Sequence, residues 1–276
     1  MMAGASSPLV GLLCALAATS GTAGRSSAPF DRVDVTRNVP FASVRDVDGA
    51  EVRLTLDVYE PAGDAAPARP AIVWIHGGGF RPGTDKRQGY IVTLATAFAK
   101  RGYVSIAPDY RVRSAPDRDR PGTIRDAVAD TQAALGWLRE KSATLRVSPD
   151  RITVAGGSAG GRTAVGLATA ETGGPAGLGA APPCGTVVLW GSPDPSWQLA
   201  SRTSRFPPTL LIHGTKDVTV PYEHSERLAV ALRGQGVDTV LLPLPDAAHT
   251  PTEHIDLIVE TIARFLDRVC GAGPPR

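Results

Sequence analysis

The sequence predicts an α/β protein: an eight-stranded, mostly parallel sheet with helices packed on both faces. Three observations lead there. Continuous apolar runs alternate with helix-periodic stretches from residue 71 to residue 269. A pair of alternating β-prone runs precedes them, joined at Asp48-Gly49. Several of the apolar runs end in glycine, histidine, serine or aspartate, which are the residues of loops that carry chemistry.

The elements follow in chain order. Residues 33–44 and 51–59 alternate with a period of two, as expected of strands with one wet face, and Asp-Gly between such runs is a strong hairpin signal. A Pro/Ala-rich loop spans 61–70. Ala71-Ile72-Val73-Trp74-Ile75 is apolar throughout, the pattern of a strand buried on both faces. Runs of the same kind occupy 103–107, 152–155, 186–190 and 209–212, and a last strand is expected at 237–244. Between and after them, helices are expected at 89–101, 123–141, 159–170, 222–234 and 252–269. In the second of these, Ile124, Ala127, Val128, Thr131, Ala134, Leu135 and Leu138 mark one face at helical spacing. Strand–helix alternation gives parallel pairing, with the early hairpin as an antiparallel edge. No linker, repeat or charge block divides 30–270, which reads as one domain.

Composition narrows the function classes. With 42% hydrophobic and 20% charged residues, the body of the chain is of ordinary globular type. A net charge of +2, spread without a basic stripe, gives no footprint for a nucleic-acid partner. The body has no apolar stretch long enough for a membrane span. Residues 1–23 differ. An apolar core at 8–18 is followed by small residues, and Gly21 and Ala23 give a small-x-small cleavage pattern after Ala23. This reads as a secretory signal and predicts an extracellular protein. No Lys or Arg precedes the core, the first charge being Arg25, so a misplaced start or a simple tail stays open. Cys14 follows leucines, which does not fit a lipoprotein site. Removal of the leader leaves Cys184 and Cys270, an even count that favours a disulfide over two buried thiols.

In parallel sheets, sites form at the carboxyl ends of the strands. Ser158 lies there, in Gly156-Gly157-Ser158-Ala159-Gly160-Gly161 after the run 152–155. A sharp strand-to-helix turn with small flanking residues lifts a serine hydroxyl out of the sheet and makes it a candidate nucleophile; the alternative is a packing turn. His76-Gly77-Gly78-Gly79-Phe80 follows the run 71–75. Gly78 and Gly79, with Ala159, are candidate backbone donors for an oxyanion hole, while His76 reads as structural. Asp217 follows the run 209–212 and His249 follows the strand 237–244. A carboxylate there can orient an imidazole, which in turn can take the serine proton. Asp194 is the alternative acid. His213 is expected beneath the Asp217 loop, and His224 and His254 on helices. Phe80, Trp190 and Trp197 are candidates for a substrate wall or, alternatively, for core packing. No metal-ligand spacing and no phosphate loop is present.

These motifs resemble those of α/β-hydrolase esterases. His76 to Phe80 resembles the oxyanion motif of hormone-sensitive-lipase-like esterases. Pro149-Asp150-Arg151-Ile152 before the Ser158 motif, and His213-Gly-Thr-Lys-Asp217 with Val220-Pro221, are similar to those of that group and of small bacterial feruloyl-esterase-like carboxylesterases. The order Ser158, Asp217, His249 is the α/β-hydrolase order. The resemblance implies ester hydrolysis through an acyl-enzyme, with no cofactor, on a small-molecule or polymer-attached ester. Amide or formamide hydrolysis, similar to kynurenine formamidase, is the alternative, and a non-catalytic binding protein of the same fold is a third. Little sequence remains for a cap: 111–122 is expected as a charged loop and 191–208 as a short insertion, which implies an open cleft.

Overall fold

The computed structural model describes residues 30–169, 182–193 and 206–271. Eight strands form one sheet: β1 (Val33–Arg45), β2 (Glu51–Pro61), β3 (Arg69–Ile75), β4 (Val104–Pro108), β5 (Val147–Gly157), β6 (Gly185–Leu189), β7 (Thr209–Gly214) and β8 (Thr239–Leu244). Their order across the sheet is β1-β2-β4-β3-β5-β6-β7-β8. β1 pairs antiparallel with β2, and β2 with β4; every other pairing is parallel. The expected α/β class, the antiparallel edge and the strand count are therefore what the chain adopts. The hairpin turns where expected, with Gly49 at φ 83°.

The helices are α1 (Gly89–Lys100), α2 (Arg120–Glu140), the short α3 (Ser142–Leu145), α4 (Ala159–Thr169), α5 (Glu223–Gly234) and α6 (Ile255–Val269). Alternate residues of each buried strand sort them onto two faces. Ile72 and Trp74 of β3, Val187 of β6 and Leu210 of β7 pack against α1 and α6. Ala71, Val73 and Ile75 of β3 pack against α2 and α4, and Val188 and Leu211 against α4 and α5. All residues of β3, β4, β6 and β7 are buried, which is why these strands read as unbroken apolar runs rather than as alternation.

Two expectations are corrected at element ends. Residues 111–122 are not a plain loop: Pro116–Asp119 forms a 3-10 turn and α2 begins at Arg120. The cause is local, because the Asp119 carboxylate caps the Gly122 amide and Pro121 sits in the first turn, where its missing N–H costs nothing. β5 begins at Val147, five residues before the apolar run, because Arg69 of β3 pairs with Val147 beyond a register shift. Most of 191–208, including Asp194 and Trp197, lies outside the described residues, as does the whole of 1–23.

The chain order places the site. β3 runs through α1 to β4 on one side, whereas β5 lies on the other side of β3. α1 and α4, which follow β3 and β5, cover opposite faces, so the loops leaving these two strands diverge and open a crevice between them. Trp74 pairs with Ala155 and Ile75 with Gly156, which brings the glycine loop beside Ser158.

Cys184 and Cys270 form a disulfide with a Cα–Cα distance of 5.2 Å, linking the start of β6 to the end of α6 across a sequence separation of 86. Thr153 Oγ1 on β5 lies 3.5 Å from each sulfur. A crosslink that closes a loop of this size removes much of the freedom of the unfolded chain. The Cys184→Ser/Cys270→Ser variant is therefore expected to lose about 2–5 kcal/mol of stability, measured by urea unfolding of oxidised wild type against the variant.

Candidate active site

Ser158 takes φ 55°, a left-handed conformation that a β-strand cannot continue through, so the chain must turn there. The turn is tight because α4 starts almost against β3. A Cβ on Gly160 would lie 2.0 Å from the Ile75 carbonyl oxygen, and one on Gly156 would lie 2.4 Å from the Gly160 carbonyl oxygen. Both obstacles are backbone, which cannot step aside. The Ser158 amide donates to the Leu189 carbonyl of β6 (2.9 Å), and the Ser158 carbonyl accepts from the Arg162 amide (3.1 Å). The serine is thus tied to the sheet on one side and to the first turn of α4 on the other, with its side chain in the crevice and partly exposed.

Asp217 and His249 arrive from the ends of β7 and β8, which lie beyond β6 in the sheet. The pairing of β7 with β8 runs to Gly214 against Leu244. Beyond it the two loops are laced together: the Thr215 amide donates to the Leu244 carbonyl (3.0 Å) and the Lys216 amide to the Ala247 carbonyl (2.9 Å). His249 Nδ1 lies 2.7 Å from Asp217 Oδ2, and His249 Nε2 lies 3.1 Å from Ser158 Oγ. A continuous line of hydrogen bonds therefore joins all three residues. Asp217 Oδ1 also accepts from the amides of Thr219 and Val220, each at 2.9 Å. Burial pushes the Asp217 carboxyl up, but the bond from His249 and the Val220 and Thr219 amides outweigh it and hold the group below the ordinary carboxylate value.

The glycine loop is fixed by side chains that sequence reasoning did not single out. Gln88 Oε1 accepts the Gly77 amide (2.9 Å), so that donor is already committed. The Tyr110 hydroxyl donates to the His76 carbonyl (2.8 Å) and lies 3.2 Å from that of Gly77. Gly78 has φ 102°, and the Thr84 side chain fills the space where its Cβ would be. Lys86, almost fully buried, pairs with Asp109 behind the loop, and its amide donates to the same carboxylate. Asp109-Tyr110 directly follows the carboxyl end of β4, and that placement was the available signal for these residues.

His76 is structural, as expected. It is buried, stacks on Tyr110 with ring centroids 4.2 Å apart, and donates from Nδ1 to the Gly77 carbonyl (2.8 Å). His213 does lie beneath the Asp217 loop, with Nε2 3.0 Å from Asp217 Oδ2. His224 lies in the first turn of α5 and His254 ends a 3-10 turn. The expected substrate wall needs correction. Phe80 and Trp190 are both 0% exposed: Phe80 packs edge-on to Tyr110, and Trp190 edge-on to Tyr90 in the core. Both residues have positive φ, and both side chains are packed inside the protein rather than lining the crevice. Trp197 and Asp194 lie outside the described residues. Among the described residues, no group of three or more His, Cys, Asp and Glu is placed to hold a metal ion, and no helix is long and apolar enough to cross a membrane.

Comparison with known proteins finds esterases and lipases. Residues 56–174, which hold the glycine loop and Ser158, match a family model described as BD-FAE. Residues 195–273, which hold Asp217 and His249, match the prolyl oligopeptidase family. The chain is 26% identical over 262 residues to esterase LipQ of Mycobacterium tuberculosis, covering 78% of this chain and 59% of that protein. It is 30% identical over 129 residues to the secreted triacylglycerol lipase LIP1 of Gibberella zeae, covering 44% of this chain and 22% of that protein. The chain thus spans less than two thirds of the length of these relatives. Among solved structures, esterase 2 of Thermogutta terrifontis phosphonylated by cyclosarin superposes with a TM-score of 0.71 at 28% identity, covering 90% of this chain and 97% of that one. The same esterase has also been solved with propionate and with butyrate bound.

Buried ionisable groups around the site make stability depend on pH. Burial holds His76 and His213 below the ordinary value of 6.5, partly offset by hydrogen bonds to the Gly77 and Val220 carbonyls. A histidine depressed in the folded state contributes stability that is complete above 6.5 and is lost as the pH falls through its folded value. Asp57 and Asp217, held below 3.8, add a second loss at more acid pH. The urea midpoint is therefore expected to be lower at about pH 5 than at about pH 7.5, and to fall more steeply below about pH 4. Equal midpoints at the two higher values would contradict this assignment.

Proposed function

From the membership of this chain in the α/β-hydrolase superfamily, we propose that it hydrolyses carboxylic esters through an acyl-enzyme formed on Ser158. The observation that carries this reading is the unbroken hydrogen-bond line from Ser158 Oγ through His249 to Asp217. Asp217 Oδ2 accepts a hydrogen bond from His249 Nδ1–H, which leaves Nε2 as the lone-pair nitrogen facing the serine hydroxyl. As Ser158 Oγ attacks the ester carbonyl carbon, His249 Nε2 takes its proton, and the buried anionic Asp217 stabilises the imidazolium that results. The developing oxyanion is held by the amides of Gly78, Gly79 and Ala159. The Gly77 amide is occupied by Gln88, so it is not among these donors. Collapse of the tetrahedral species expels the alcohol, which receives the proton from His249. Water then repeats the sequence: His249 removes its proton, the acyl–serine bond breaks, and Ser158 Oγ recovers its hydrogen.

For the substrate class we propose short acyl esters, including aryl- and sugar-linked ones. Support comes from the limited sequence left for a cap and from the propionate and butyrate held by the Thermogutta esterase. We further propose that the protein is exported. The leader at 1–23 and the disulfide support this, since such bonds persist mainly in oxidising compartments.

Ser158→Ala is expected to lower kcat for p-nitrophenyl acetate by about 10³-fold or more while the far-UV circular dichroism stays as in wild type. Undiminished turnover in that variant would falsify the assignment. Paraoxon is expected to add one phosphoryl group per chain, read by intact-protein mass, and to add none to Ser158→Ala. A parallel assay with N-formyl aromatic amides is expected to give a lower kcat/KM than the esters; the reverse order would move the chain to amide hydrolysis.

A further inference from the structure

Asp217 carries two histidines, and the mechanism uses only one. His213 is the last residue but one of β7, and its side chain is 0% exposed, as is that of Asp217. Its Nε2 lies 3.0 Å from Asp217 Oδ2, the same oxygen that His249 Nδ1 approaches at 2.7 Å. The same Nε2 lies 2.8 Å from the carbonyl oxygen of Val220. A carbonyl can only accept, so Nε2 must carry the proton and share it between Val220 and Asp217. The other ring nitrogen, Nδ1, lies 2.7 Å from Ser225 Oγ on α5 and accepts the hydroxyl hydrogen bond. His213 is thereby fixed as the Nε2–H tautomer and His249 as the Nδ1–H tautomer, and both point their N–H at one carboxylate oxygen.

With Thr219 and Val220 on Oδ1, Asp217 accepts four hydrogen bonds, the full capacity of a carboxylate. Each donated bond spreads the negative charge and weakens the hold of the carboxylate on any one partner. The groups facing this pair come from three elements. The loop after β8 supplies His249; the segment before α5 supplies Tyr222, whose ring meets His213 edge-on at 5.9 Å; α5 supplies the uncharged Ser225. Lys216 and Asp246 pair with each other at 2.7 Å at the exposed loop tips and face solvent.

We propose that His213 is a positioning residue of the triad: a neutral imidazole that competes with His249 for Asp217 Oδ2 and so sets how strongly the carboxylate favours the protonated form of the base. The proposal rests on the ester-hydrolase reading above and deepens it. Without the His213 donor, Oδ2 has a single partner, its charge concentrates on His249, and the imidazolium is stabilised. The base is then neutral, and able to act, only at higher pH.

The test is the acidic limb of the kcat/KM pH profile for p-nitrophenyl acetate. His213→Phe keeps a buried ring and removes the donor, and its limb is expected to move up by about one pH unit. His213→Gln restores an N–H near the position of Nε2 and is expected to bring the limb back toward wild type. Ser225→Ala removes a packing and hydrogen-bond partner of the ring but not the Nε2–H; it is expected to lower stability and leave the limb in place. A folded His213→Phe with the wild-type limb overturns the proposal. So that the question does not depend on that variant folding, ¹⁵N-histidine NMR on wild type reads the tautomer directly. A neutral Nε2–H ring for His213 at pH 7 is expected, and an Nδ1–H or doubly protonated ring overturns the proposal. Ser158→Ala separates the two levels: if it stays active, the esterase reading falls. If it is dead while His213→Phe keeps the wild-type limb, only the role of His213 falls.

Discussion

The candidate site depends on how closely helix α4 approaches the end of strand β3. No side chain fits between Gly160 and the Ile75 carbonyl, or between Gly156 and the Gly160 carbonyl, so the strand-to-helix turn is confined between backbone on both sides. This close contact forces Ser158 into its left-handed conformation and sets the start of α4 against the glycine loop. The sheet transmits the constraint outward. Because β3, β5, β6, β7 and β8 are successive parallel neighbours, fixing the serine at β5 also fixes where the loops after β3, β7 and β8 emerge.

Around that fixed point the protein uses hydrogen bonds from side chains to hold backbone segments that have no regular pairing of their own. Gln88, Tyr110 and His76 hold the carbonyls and the first amide of the glycine loop, and the buried Lys86–Asp109 pair stands behind them. A loop of three glycines would otherwise sample many conformations, and donors that must wait for the right geometry contribute little to a transition state. The acid and base loops are joined in the same manner, through backbone bonds that continue the β7–β8 ladder past its last pair. Preorganisation here is a property of ordinary hydrogen bonds placed on rigid elements rather than of any single unusual contact.

Much of this was legible in the sequence because two periodicities carry it. Unbroken apolar runs announced the buried strands, and the chemistry-bearing residues could be placed by looking just past the carboxyl end of each run. That reasoning located Ser158, Asp217, His249 and the glycine loop, which the structure brings together. It failed where a side chain's direction decides the matter. Phe80 and Trp190 follow strands beside the site, but both side chains pack against core tyrosines, and position after a strand does not tell which way a side chain points. Gln88, Tyr110 and Ser225 carry no motif of their own, because each acts through a hydrogen bond whose geometry only the folded loops supply. The start of α2 carries a signal within its charged surroundings: Asp119 with Pro121 two residues on marks a helix start.

The disulfide has a topological consequence. Residues 184 to 270 form a covalently closed ring, and both Asp217 and His249 lie within it, while Ser158 and the glycine loop lie outside. The candidate site is therefore assembled from two bodies of different covalent character, a linear N-terminal part that carries Ser158 and a cyclic C-terminal part that carries Asp217 and His249. A single proteolytic cut inside the ring opens it without releasing either partner of the Asp217–His249 pair, because both pieces stay joined through sulfur. Thr153 of β5 touches that sulfur bridge, so the closure of the ring lies against the middle of the strand that leads to Ser158.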